Sequence, residues 1–136
     1  MLAIPYFKTG FALLIGTAGV HFLARIFHLY FEFVWFDLLV HGLGGAWVGM
    51  MACAFLVFAP RAPRRETQVT VVSVALGAAL LAGGIWEGIE FATDNIIALN
   101  PLRDTITDVL MDGAGGLAAA WYILTTDNRR ENAVRQ

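Results

Sequence analysis

Glu87 and Glu90 stand three residues apart in GGIWEGIEFATD (83–94), at the end of a run that carries no charge from Val69 onward. At 100° per residue of helix they share one face, and Asp94 joins them within an arc of about 60°. Two neighbouring carboxylates in a dry setting suit two kinds of chemistry. They can ligate a hard cation, or share and exchange a proton, because their mutual repulsion disfavours a double charge.

Three further sets have the same character. Asp104, Asp108 and Asp112 form an i, i+4, i+8 stripe about 80° wide. Asp37 and His41 are one turn apart, about 40° around the axis. His21, Arg25 and His28 fall within an arc of about 60°. Hard divalent ions prefer carboxylate and water, whereas zinc or iron uses imidazole more readily. Glu87, Glu90, Asp108, Asp112 and His41 are therefore the expected metal ligands or proton carriers. Asp37 is expected to orient the His41 ring, and Arg25 to balance the acids, with His21 beside it. Asp104 suits a helix cap or first turn, where the dipole favours an acid.

The elements that position these groups follow from composition. The chain has 136 residues, 58% hydrophobic and 15% charged, against roughly a quarter charged in a soluble domain. Too little polar material remains to cover a domain of this size with a hydrated surface. Four stretches, about 9–28, 37–58, 69–91 and 105–125, approach the length of about 20 residues that crosses a bilayer as a helix. The reading is a single all-α domain: a polytopic membrane protein with four transmembrane helices. The first stretch is read as a span rather than a cleaved leader, because it outruns the usual apolar region of one.

Charge sets the orientation. Lys8, Arg61, Arg64, Arg65, Arg129, Arg130 and Arg135 lie on one side of a four-span chain, and Arg25 and Arg103 on the other. The positive-inside rule then puts both termini in the cytoplasm. All four polar sets arrive in the outer half of the bilayer. A lone charge at mid-membrane costs at least about 2.5–3.5 kcal/mol, so the stripes are expected to face one another or a wet cavity. Gly45/Gly49 and Gly84/Gly88 have the small-xxx-small spacing of closely packed membrane helices. Trp35 and Trp86 suit an interfacial aromatic belt.

Several chemistries are disfavoured. Ser73 is the only serine and Cys53 the only cysteine, and both fall far along their helices from the histidines. No phosphate-binding glycine loop, CxxC pair or HExxH zinc motif occurs. A net charge of -2 without a basic aromatic stretch gives no basis for nucleic-acid binding. Cys53 reads as a small buried hydrophobe.

The segments VWFDLLVHGLGG (34–45), GIWEGIEFATD (84–94) and RDTITDVLMDGAGG (103–116) resemble the YjdF-like family of small bacterial inner-membrane proteins. Asp37, His41, Trp86, Glu87, Glu90, Asp104, Thr105, Asp108 and Gly116 carry the likeness. Asp112 departs from it, asparagine being more typical there. A looser similarity to VanZ-like proteins implies association with the cell envelope. The resemblance implies residence in the bacterial cytoplasmic membrane and assigns no reaction.

The leading expectation is a divalent-cation-binding protein of ion or proton-coupled transport. The alternatives are a membrane-embedded metal-dependent hydrolase of a lipid or envelope substrate and a noncatalytic assembly subunit. Membrane lipids are the expected surroundings, and a homodimer or a membrane-protein partner would enlarge the small interior of four short helices.

Overall fold

The computed structural model describes residues 3–33, 35–56, 68–93 and 101–134. The secondary structure there is all helix: α1 (Ala3–Ile26), the short α2 (Leu29–Glu32), α3 (Phe36–Leu56), α4 (Gln68–Ala92) and α5 (Pro101–Val134). Helices close all their backbone hydrogen bonds internally, which lipid requires of anything that spans it. Among the described residues, three helices are long and apolar enough to cross a membrane, over Pro5–Ile26, Phe36–Leu56 and Gln68–Ala92. The fourth long helix, α5, is more polar. The Arg61/Arg64/Arg65 connector, Asp94, the turn expected at Asn95 and Asn100, and Arg135 lie outside the described residues.

Two helix boundaries differ from the sequence-based expectation, each for a local reason. Residue 105 is not the start of the last helix. Pro101 opens it, since a fixed φ and a missing N–H suit the first helical position, and the helix continues through the polar tail to Val134. At the other boundary α1 stops at Ile26, and His28 takes a left-handed conformation at φ 54°. That residue reverses the chain into α2, a turn that hydropathy alone could not disclose.

The α3 helix is central and touches α1, α4 and α5, while α5 also packs along α4. Paired contacts fix the directions. A Cβ built on Gly45 would run into the Asp112 backbone, and one on Gly49 would lie 3.1 Å from the Gly116 Cα and 3.2 Å from the Ala75 carbonyl. Cys53 Sγ lies 3.5 Å from the Val71 carbonyl oxygen. Thus α3 and α5 run parallel in direct contact, with α4 packed antiparallel against both, and the three backbones meet at Gly49, Ala75 and Gly116. Below that point Met50, Cys53, Val71, Ala75, Ala119 and Ile123 form a dry core. Tyr6 of α1 is fully buried against the same core, and its hydroxyl donates to Asp127 of α5.

The outward surface is apolar. Ile15 of α1, Leu81 of α4, and Leu110 and Trp121 of α5 are each at least 65% exposed, a distribution that suits lipid contact rather than water. Of the two expected glycine pairs, only Gly45/Gly49 packs. Gly84 and Gly88 have nothing within 4 Å of a built Cβ, and Gly83 faces the interior instead. A shift of one residue turns a helix by 100°, enough to exchange buried for exposed.

Cys53 is fully buried. A membrane-permeant maleimide should leave it unmodified in the folded, detergent-solubilised protein and label it on denaturation. Mass spectrometry before and after unfolding measures this directly.

Candidate metal centre

The polar sets of α3, α4 and α5 converge at one end of the bundle, above the glycine contacts, whereas the His21, Arg25 and His28 set of the first span does not join them. His41 projects from the second turn of α3 and is buried, with 8% of its surface exposed. Asp112 of α5 lies on one side of the ring, its Oδ2 3.1 Å from Nδ1. On the other side Asp37 Oδ1 lies 4.0 Å from Nε2, and Glu87 Oε1 of α4 lies 3.9 Å from the same nitrogen. Four acidic or imidazole groups from three helices thus surround one point, as the separate stripes predicted for a lipid environment.

Asp108, one turn before Asp112 on α5, completes the cluster. It is 1% exposed, and its Oδ1 is buried without a hydrogen-bond partner. Glu87 Oε1 is also buried and unpartnered, on a side chain that is 10% exposed. A buried carboxylate oxygen without a donor is costly and therefore rare in a finished structure. Each belongs to a residue beside His41: Glu87 Oε1 lies 3.9 Å from Nε2, and Asp108 shares a group of close ligand atoms with the ring, where a cation would satisfy it.

Asp37, His41 and Asp108 each offer one ligand atom, and these atoms lie within 4.8 Å of one another. Two donors on an ion at about 2.0–2.2 Å are at most about 4.4 Å apart, so the trio would draw in slightly on binding. One imidazole and two carboxylates suit zinc, manganese or iron(II) better than calcium, which takes six to eight oxygens. The buried acidic and histidine cluster is therefore capable of coordinating a metal ion.

The remaining candidates lie around this core. Glu90 is half-buried on the same face of α4 as Glu87, beside Trp86. Asp104 sits half-buried in the first turn of α5. His21, Arg25 and His28 are all exposed at the end of α1 and beyond it. His21 turns to Tyr30 of α2, with Nδ1 and the phenol oxygen 2.6 Å apart. Burial pushes the Tyr30 phenol up to about 12, and the Asp37 charge reinforces the shift while Arg25 opposes it. The phenol accordingly stays protonated at neutral pH. Tyr30 was not singled out in the sequence, and the left-handed break that carries it toward His21 has no sequence marker, since histidine rather than glycine occupies it.

The arrangement around His41 also differs from expectation. Asp112, not Asp37, makes the hydrogen bond to the ring, while Asp37 stands beside Nε2 with Glu87. Helical spacing puts Asp37 one turn from His41, but it cannot tell which ring nitrogen Asp37 will meet or which acid of α5 will reach the other.

A family model described as a predicted membrane protein, DUF2238, matches residues 3–129. No curated protein and no solved structure matches the chain.

Proposed function

The chain belongs to this DUF2238 family of predicted membrane proteins, and on that premise we propose that it is a membrane-embedded, metal-dependent hydrolase of a lipid or envelope substrate. In this reading α5 is a fourth span, both termini are cytoplasmic, and the protein resides in the bacterial inner membrane. The finer likeness to YjdF-like proteins belongs to the same proposal.

The observation that carries it is the pair of unpartnered buried oxygens, Asp108 Oδ1 and Glu87 Oε1, beside His41. Asp37, His41 and Asp108 would hold the cation and leave positions free for water and substrate. A bound divalent ion supplies Lewis acidity and lowers the pKa of its water. Glu87, close to His41 Nε2 but outside the metal-binding trio, has a free oxygen to accept the proton of an attacking water. Asp37, whose side chain is 40% exposed, marks the side from which substrate enters.

Close packing beneath the cluster favours this reading over transport. Gly45 against Asp112, Gly115 against the Gly42 carbonyl, and Gly116 against Ala75 and Ala79 leave no room for even a methyl group. A hydrated ion needs much more than that to continue through the bundle.

The test uses purified protein in vesicles whose lipids carry fluorescent acyl chains and headgroups. Zinc- or manganese-dependent release of a labelled product, lost in Glu87→Gln, is the expected result. Metal flux across the same vesicles without product release would overturn the hydrolase reading in favour of transport.

A further inference from the structure

Asp112 has surroundings unlike those of the other acids. A Cβ on Gly83 would collide with its carboxylate, and a Cβ on Gly45 would collide with its backbone carbonyl. Two helices have therefore given up side chains where this one residue sits. The aspartate is 5% exposed, and its Oδ2 is hydrogen bonded to Nδ1 of His41 at 3.1 Å. Asp108, by contrast, keeps a buried oxygen free of any partner. Adjacent turns of α5 thus present one carboxylate that is already engaged and one that is open.

We propose that Asp112 is a positioning residue: seated between Gly45 and Gly83, it fixes the His41 ring through Nδ1, so that Nε2 is presented to the side where Asp37 and Glu87 stand. This rests on the metal-site reading, and it assigns to α5 both a direct ligand and the group that orients a ligand from α3. An imidazole has two nitrogens, and the hydrogen bond at one decides which is available at the other. With Nδ1–H donated to a carboxylate, the Nε2 lone pair is the donor and the ring cannot rotate away. Oriented histidines of this kind bind metal more strongly, because the partner raises ligand basicity and removes rotational freedom. The distances support that division, since Nε2 is about equally far from Asp37 at 4.0 Å and Glu87 at 3.9 Å and is hydrogen bonded to neither.

A direct ligand and a positioning residue respond differently to substitution. Asparagine is a poor substitute for a carboxylate ligand, yet its amide oxygen can still accept the Nδ1 proton. Zinc affinity of the full chain in detergent, measured by competition with a chromophoric chelator, should fall about 10- to 100-fold in Asp112→Ala. Asp112→Asn should retain part of that affinity, whereas Asp108→Asn should lose more than either. Gly83→Ala, which leaves every polar group in place but pushes a methyl toward the Asp112 carboxylate, should also weaken binding.

Nitrogen-15 histidine spectra supply the second readout, with His41 assigned by its absence in His41→Asn. A downfield Nδ1–H resonance is expected in the parent protein with or without zinc, absent in Asp112→Ala and retained in Asp112→Asn. Should Asp112→Asn lose as much affinity as Asp108→Asn, Asp112 would be a ligand and the positioning role would be wrong. Unchanged affinity in Asp112→Ala would overturn it as well. A parent chain that binds no zinc would defeat the metal-site reading, while the Nδ1–H resonance would still report whether Asp112 holds the ring.

Discussion

Asp108→Asn should raise the thermal stability of the metal-free protein and remove the further stabilisation that a divalent cation gives the parent chain. The two effects have opposite signs and one cause. Without a cation, Asp108 Oδ1 is a buried oxygen with no donor, among the acids Asp37 and Glu87. An amide of the same shape carries no charge and brings two N–H donors to those carboxylates. Relief of one unsatisfied buried polar group is worth about 1–3 kcal/mol, more where charge is involved. With a cation at 100 times its Kd the parent chain gains about 2.7 kcal/mol, and the variant, lacking a ligand, gains little. Melting curves in detergent, with and without zinc, measure both quantities. A variant that is less stable without metal yet still responds to zinc would show that Asp108 serves packing rather than coordination.

Such a trade is expected where a site is maintained at the expense of the fold. The cluster concentrates Asp37, His41, Glu87, Asp108 and Asp112 at one end of a bundle whose opposite end is a dry core of Met50, Cys53, Val71 and Ile123. A purely structural bundle would gain by exchanging the buried acids for apolar residues. Their retention, with two oxygens unsatisfied, makes a ligand the simplest physical explanation.

Much of this was legible in the residues. Long apolar runs implied helices, and periodicity alone grouped Asp37 with His41 and Asp108 with Asp112. The cost of dispersed charge in lipid then required the groups to meet, although they come from distant parts of the chain. What periodicity could not supply was rotation finer than one residue. Gly84 was expected at the packing face and Gly83 occupies it. Asp37 was expected on the orienting side of His41 and Asp112 occupies it. Both differences arise because helical spacing assigns a face, while contact depends on the neighbouring helix and its axial register.

Gly45→Ala should be among the most damaging single substitutions in the chain, and Gly84→Ala should be neutral or stabilising. Both exchange a helical glycine for alanine, which by propensity alone favours the variant by about 1 kcal/mol. At Gly84 nothing lies within 4 Å of the added methyl, so the propensity gain survives. At Gly45 the methyl would overlap the backbone carbonyl of Asp112, and no side-chain rotation can move a backbone atom aside. Overpacking of a close-packed core costs about 1–3 kcal/mol, occasionally more, and the rigidity of the obstacle puts Gly45→Ala at the upper end. Separation of α3 from α5 would also carry His41 away from Asp112 and Asp108, so metal affinity should fall with stability. Unfolding in mixed detergent and denaturant, read by tryptophan fluorescence, should place the two variants on opposite sides of the parent chain. Equal destabilisation of both would mean that the Gly84 face is covered in the assembled protein, as it would be if a second chain packed there.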